Sequence, residues 1–471
     1  MLLPGWDSTR GRCNHLTMNQ TTRFHIYTLG CKINQYESQS IREAWTTRGC
    51  VEASDPANAD VIVVNSCAVT AKAVADLRAA VRRFGRQNPN AEVVITGCAA
   101  QVLAEELSEA FPDTAIIPQS EKETLLTRPL PMASVQPDHT SQADGSAQIT
   151  SAPTSDHDSG CPSFPEFSIK GSNRVRAVVK VQDGCTHRCT YCIIPSTRGK
   201  AVSRAPEAAV AEVHRLFEAG WREVTLSGIN LRQFGRDLTP AMDFWDLLQI
   251  MDAELAPQWA GRARLRISSV DPGQLGTKAL EVLGASQLIC PQLHLSLQSL
   301  APAVLRRMGR GHYGPEDIVD FTTQLGSVWP VFGLGADLLV GFPGETDEDF
   351  EITRQYCEKL PLSYAHVFPY SRRPGTPAAN YPDQIPHAVK KQRAKILRDM
   401  MATKKAAFMQ RLTTLDRLDV VVEGGDPAHG ICEYYADCRF TDGTNPAPGG
   451  LTAASPVSCG KDYVDVSALV I

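Results

Sequence analysis

The chain has 471 residues, 47 Lys+Arg against 52 Asp+Glu for a formal net charge of -5, and 14 cysteines. With 43% hydrophobic residues, that length allows two or three domains with ample core and excludes a fibre or a disordered chain. The cysteine fraction is far below the roughly 8–10% of a small disulfide scaffold. The N-terminus carries no apolar signal-peptide core, and no apolar run approaches the roughly 18 residues that a membrane helix needs. A cytoplasmic protein with reduced thiols is expected, which leaves the question of how many thiols bind metal.

Residues 1–22 lack periodic apolar pattern and read as a poorly ordered leader. From 23 to 128, the β-rich runs HIYTLG, DVIVVNS and AEVVITG alternate with amphipathic helical segments, the pattern of a parallel α/β sandwich domain. Residues 129–171 read as a flexible linker, because Ser, Thr, Pro, Asp and Ala dominate and no Lys or Arg occurs from Pro129 to Ile169. Between 172 and 386 a second β/α series supplies six candidate strands: RAVVKVQ, EVTLSGIN, ARLRISSVD, QLHLSLQS, GADLLVGF and AHVFPYS. Six units suffice for a partial (β/α)6 barrel, whose ligand site lies at the carboxyl ends of its strands. Gly228, Asn230, Ser268, Ser269, Ser296, Gln298 and Gly341 gather at those ends. Residues 387–412 form a basic helix with eight Lys or Arg against Asp399 alone, and 413–471 read as a small β-rich region with a small or incomplete barrel.

Two sets of cysteines carry chemistry. Cys185, Cys189 and Cys192 lie within eight residues, directly after the first strand of the barrel-like series. Structural zinc wants four closed ligands, usually from two Cys-x2-Cys pairs, and the ferredoxin run has a different spacing. A three-thiolate loop at a strand end favours an iron–sulfur cluster with one iron open to substrate. Cys31, Cys67 and Cys98 each end a β run and precede a helix. In one parallel sheet all three lie on the carboxyl edge, where helix N-termini favour thiolate.

The Cys-x3-Cys-x2-Cys pattern with Tyr191 before its last cysteine resembles the radical S-adenosylmethionine (SAM) superfamily. Together with TLGCKINQYES, NSCAVT, TGCAAQ, VLRRMGRG, LLVGFPGETDEDF and HVFPYSRRPGTPAA, it resembles the methylthiotransferases of that superfamily over some three quarters of the chain. The resemblance implies two [4Fe-4S] clusters and SAM. Cys185, Cys189 and Cys192 would hold the catalytic cluster that cleaves SAM to a 5′-deoxyadenosyl radical, and Cys31, Cys67 and Cys98 an auxiliary cluster involved in sulfur delivery. Contacts to SAM are expected from Tyr191, Gly228, Asn230, Ser268, Gln298 and Gly341. The family also implies a flavodoxin- or ferredoxin-type electron donor and a small TRAM-like C-terminal barrel that helps hold RNA. Residues after Asp419 match that barrel poorly and carry only Arg439 and Lys461, so a degenerate barrel is expected. A monomer is expected, and the sulfur source stays open.

Cys31 is followed by Lys-Ile-Asn, not by the Pro-Lys-Asn typical of the branch acting on a ribosomal-protein aspartate. The wording instead resembles the branch that adds a methylthio group to C2 of N6-threonylcarbamoyladenosine next to the anticodon of tRNA. The ribosomal aspartate, isopentenyladenosine in tRNA, and a non-catalytic iron–sulfur RNA-binding protein are the alternatives. For tRNA, local clustering of charge outweighs a net charge of -5. The 387–412 helix, the row Arg78, Arg82, Arg83 and Arg86, and the trio Arg198, Lys200 and Arg204 are the expected phosphate contacts.

Overall fold

The computed structural model describes residues 21–127 and 163–469; most of the expected leader and of the expected linker, with Cys13 and Cys161, falls outside them. Five parallel strands open the fold, in the spatial order Val51–Glu52, Arg23–Thr28, Val61–Ser66, Glu92–Gly97 and Ala115–Pro118. The strand Val61–Ser66 is buried on both faces, as a parallel sheet covered by helices requires. Ile62, Val64, Val93 and Ile95 pack against Leu77, Val81 and Phe84 of the helix Ala71–Gln87. Val61, Val63 and Val94 face the helix Lys32–Thr47 and share one continuous apolar core with the domain that follows. The described end of the connection belongs to that core. Phe167 and Ile169 are buried, and Phe167 O accepts from Tyr36 Oη at 2.6 Å. The stretch expected to be solvated through Ile169 is therefore packed over its last residues, because these apolar groups have a partner surface.

The second domain is a partial barrel. Its strands Ala177–Asp183, Glu223–Gly228 and Arg264–Ile267 form one parallel run, and Ser269–Val270, Gln292–Gln298, Gly333–Val340 and Tyr364–Pro369 a second. The Leu265–Ile289 bridge ties the two together. Period-2 alternation divides each strand. Val179, Val181, Val224, Leu226, Leu265, Leu293, Leu295, Leu334 and Leu338 point outward into the helix-covered core. The alternate positions face a polar lumen that includes Lys180, Gln182, Glu223, Arg266, His294, Asp337, Tyr364 and His366.

The C-terminal region, expected as a small or incomplete barrel, is a small barrel of five strands that closes: Leu418–Gly424, His429–Cys432, Asp437–Phe440, Tyr463–Ala468 and Leu451–Cys459. Its strands carry a single cation, Arg439, and the barrel docks on protein. Arg264 donates to Asp419 O at 2.6 Å and Ile431 O at 2.9 Å, and Arg266 to Cys432 O and Glu433 O at 3.1 Å. Both arginines share the buried carboxylate of Glu223. Tyr435, at φ 64, lies beneath Tyr364, with ring centroids 5.6 Å apart. The barrel thus closes the amino-terminal floor of the lumen.

The helix His387–Leu412 runs along the partial barrel, and seven of its eight cations are engaged. Arg393 is buried on Glu345 and Asp347. Lys390, Arg398, Lys404 and Arg411 donate to backbone carbonyls of Tyr370, Val367, Glu358 and Pro330. Lys395 pairs with Asp399 and Lys405 with Asp462. The expected phosphate-binding stripe is mainly a clasp, because all its partners except Asp399 are carbonyls and acids distant in sequence.

The floor contact is tight at Gly333, where an added Cβ would lie 2.1 Å from the Tyr434 carbonyl oxygen. Gly333→Ala is expected to destabilise the protein by about 1–3 kcal/mol through overpacking. Gly326→Ala, in the helix Pro315–Val328 with open space around it, is expected to be neutral or to stabilise by up to about 1 kcal/mol. Thermal unfolding of the two variants checks the contrast.

Candidate active site

The three N-terminal cysteines share the carboxyl edge of their sheet because adjacent strands are in parallel register, with Thr28 opposite Asn65 and Ser66 opposite Gly97. Two glycines permit the close approach. Gly30 has φ 103, and an added Cβ would lie 2.7 Å from Cys67 Cβ; Gly97 has φ 95, and its Cβ would lie 2.5 Å from Ser66 O. Asn34 Nδ2 donates to Leu29 O and Ser66 O at 2.9 Å, Asn65 Nδ2 to Asn34 O at 2.9 Å, and Ser66 Oγ to Thr96 O at 2.5 Å. Cys31 is exposed, while Cys67 and Cys98 are buried. Burial pushes the Cys67 thiol up to about 11.

The second triplet sits in the loop after Ala177–Asp183. Gly184, at φ 66, has no room for a Cβ, which would fall on Lys200 O. Thr190 N donates to Met308 O at 3.0 Å and its hydroxyl to Arg307 O at 2.9 Å, which pin the loop to the opposite side of the barrel. The sulfurs are met by donors: His187 N at 3.4 Å and Asn230 Nδ2 at 3.5 Å to Cys185, and Arg310 Nη1 at 3.9 Å to Cys189. Burial pushes the Cys192 thiol up to about 12. Arg310 also donates to Asp271 at 2.9 Å and to Ser296 O at 2.8 Å. Burial works against ionisation of Asp271, but the hydrogen bond from His312 and the charge of Arg310 hold it down at about 2.

A buried charge network joins the triplets. Glu37, fully buried on Lys32–Thr47, accepts from Lys122 at 2.6 Å, Lys180 at 3.1 Å and Arg198 at 2.9 Å. Asp183 accepts from Lys180 at 2.8 Å and Arg198 at 3.0 Å, and Arg198 donates to Asn34 Oδ1 at 2.8 Å. Burial opposes ionisation of Glu37, but Arg198, Lys122 and Lys180 outweigh it and hold the carboxyl well below the usual range. Three cations meet two carboxylates, which leaves one positive charge beside Cys98.

These features fit anionic clusters at both sites. Thiols pushed up by burial need a metal to ionise them, the sulfurs have N–H donors, and uncompensated positive charge lies at the N-terminal triplet. Arg373 Nη2, buried near Cys67, has no partner among the described residues. It lines a cavity of about 440 Å³ bordered by Ala68, which follows Cys67, and Ile193, which follows Cys192. The segments that follow Cys67 and Cys192 therefore meet at one cavity.

The residues expected to touch SAM are placed as follows. Tyr191 packs edge-on to Phe342, centroids 6.3 Å apart. Gly228 ends its strand against Gln182, and Gln182 Oε1 accepts from Asn230 N at 2.7 Å. Ser268 Oγ is buried without a partner among the described residues. Gln298 has φ 59 after an irregularity in its strand pairing. Gly341 donates to Glu345 at 2.6 Å and is covered by Lys390. Arg310, Asp271, His312 and Arg373 were not anticipated, although Arg310 and Arg373 lie inside the motifs VLRRMGRG and YSRRPGT.

Residues 23–118 match the family described as Uncharacterized protein family UPF0004, and residues 179–357 match the Radical SAM superfamily. The chain is 33% identical to the threonylcarbamoyladenosine tRNA methylthiotransferase MtaB of Chlamydia pneumoniae, over 95% of this chain and 97% of that protein. The chain belongs to the radical SAM methylthiotransferase family. The enzyme is also 34% identical to MtaB of Bacillus subtilis, over 79% and 78% of the two chains. It is 31% identical to a tRNA-2-methylthio-N(6)-dimethylallyladenosine synthase of Clostridium botulinum, over 87% and 88%. In fold the enzyme is similar to the radical SAM methyltransferase TsrM of Kitasatospora setae, with TM-score 0.54 and 15% identity over 76% of this chain and 75% of that one.

Removing Glu37 leaves three buried cations to one carboxylate. Glu37→Gln is expected to cost about 3–5 kcal/mol in denaturant unfolding and to speed amide exchange in Lys32–Thr47. A loss below about 1 kcal/mol, the range of a surface pair, contradicts a clamp at this position.

Proposed function

We propose that the enzyme attaches a methylthio group to C2 of N6-threonylcarbamoyladenosine in tRNA, using two [4Fe-4S] clusters, one in each cysteine triplet. The observation that supports the two-site reading is the Glu37 network, which ties the helix after Cys31 to the strand before Cys185 and the turn after Cys192. The substrate reading rests on the names of relatives matched over nearly their whole length and on Cys31-Lys32-Ile33-Asn34 in place of a proline-bearing motif. When bound, SAM and its reduced cluster supply a radical able to take hydrogen from a C–H bond that no acid or base could ionise.

The chain's own residues do the rest. Cys185, Cys189 and Cys192 hold the catalytic cluster, and the donors His187 N, Asn230 and Arg310 steady its sulfurs. Cys31, Cys67 and Cys98 hold the second cluster, with Lys122 and Arg198 balancing its charge. Ser268, Gln298 and Asn230 offer polar atoms at the strand ends for SAM, with Tyr191 packed beside them. The barrel floor excludes water from below. Arg198 and Arg204 are removed from the expected phosphate contacts, since both are committed to buried carboxylates. Lys200 keeps that role and Arg188 joins it, both exposed beside the cluster loop.

Mass spectrometry of tRNA nucleosides from cells with and without the gene tests the substrate. Loss of the 2-methylthio form of N6-threonylcarbamoyladenosine is expected; loss of the isopentenyl counterpart instead, which the Clostridium relative's name favours, contradicts it. With purified protein, Cys185→Ala is expected to abolish SAM cleavage, and Cys67→Ala to retain cleavage while product formation stops. Product formed by Cys67→Ala overturns the auxiliary role.

A further inference from the structure

Lys32 begins the helix Lys32–Thr47 and follows Cys31 directly, so its Cα lies about 3.8 Å from that of an auxiliary-cluster ligand. A cation in the first turn is opposed by the helix dipole, and among the described residues Lys32 makes no hydrogen bond or ion pair. Its surroundings add positive charge, with Arg174, Arg176 and Arg266 in electrostatic range. The nearby acids are already used: Glu223 by Arg264 and Arg266, and Glu423 by Arg176. Lys32 stays exposed because it opens onto a cavity of about 400 Å³, bounded by Arg174, Thr225, Tyr435 and the Arg176–Glu423 ion pair. Thr225 and Tyr435 belong to the lumen and its floor, and His366 on the last lumen strand also feels the Lys32 charge. His366 stands beside His294, with ring centroids 5.4 Å apart, and His294 is hydrogen-bonded to Tyr364 at 3.1 Å and paired with Asp337 at 3.2 Å.

We infer that this chamber is an anion subsite for the substituent on the substrate base, with Lys32 as its direct contact to a carboxylate. The inference rests on the proposed substrate. The atom that receives sulfur must come up to the cluster held by Cys31, so a group extending a few ångströms from that base falls within reach of the next side chain. A threonylcarbamoyl group ends in a free carboxylate and a hydroxyl; an isopentenyl group has no polar atom. An unpaired cation in a chamber that also holds Arg174, Arg176 and the phenol of Tyr435 suits the first and gains nothing from the second. Lys32 is thereby a specificity-determining residue.

The test uses the reconstituted enzyme and anticodon stem-loop RNAs carrying threonylcarbamoyladenosine, its threoninamide analogue or isopentenyladenosine, with equilibrium RNA binding and turnover as readouts. The wild-type enzyme is expected to prefer the carboxylate over the carboxamide by at least about tenfold, the scale of one hydrogen bond to a charged group. Lys32→Gln is expected to reduce that ratio to near one, chiefly through KM, and Lys32→Arg to restore part of it. Equal use of carboxylate and carboxamide by the wild type, or undiminished preference in Lys32→Gln, overturns the subsite while leaving the substrate in place. Turnover of the isopentenyl RNA and none of the threonylcarbamoyl one overturns the substrate reading and the subsite together.

Discussion

The carboxylate of Glu37 holds the two halves of the active site in one frame. It sits on the helix that begins after Cys31, and its partners come from three other places: Lys122 from the end of the first domain, Lys180 from the strand leading to Cys185, and Arg198 from the turn after Cys192. Desolvating so many charges offsets most of their attraction, so such a network contributes more to a unique arrangement than to net stability. What it specifies here is the relation between two sets of thiols that have no direct covalent or sheet connection. The continuous apolar core beneath it supplies the bulk of the stabilisation and removes the freedom of one domain to slide on the other.

The partial barrel applies one division of labour along every strand. Outward residues are aliphatic and build the core; inward residues are polar and build the site. Such a lumen would admit water from below if its floor were open. The C-terminal barrel closes it with backbone carbonyls received by Arg264 and Arg266 and with the ring of Tyr435. The surface of this small domain that faces the lumen is given over to hydrogen bonding with two buried arginines.

Local patterns made much of this legible in advance. The cysteines at strand ends, the glycines before them and the β/α alternation are short-range signals, and both the parallel sandwich and the partial barrel follow from them. Charge was misread for a physical reason. Arg198 lies 161 residues from Glu37, and Arg393 lies 48 from Glu345. A basic residue looks free in a sequence until the fold brings its acid or carbonyl to it. The converse also occurred, since Lys32 passed as one letter of a motif and emerged as a cation with no partner among the described residues. The closed C-terminal barrel was obscured by four- to nine-residue strands separated by glycine and proline turns, where pairing is decided by closure of the sheet.

The proposed function requires two separate thiolate triplets, each holding a cluster, in a single rigid frame. Iron and sulfide analysis of the anaerobically reconstituted chain addresses it most directly. About eight iron per chain is expected, two cubane clusters, falling to about four when Cys31, Cys67 and Cys98 are replaced by alanine. About four iron or fewer in the unaltered chain, or zinc in place of iron, would contradict it.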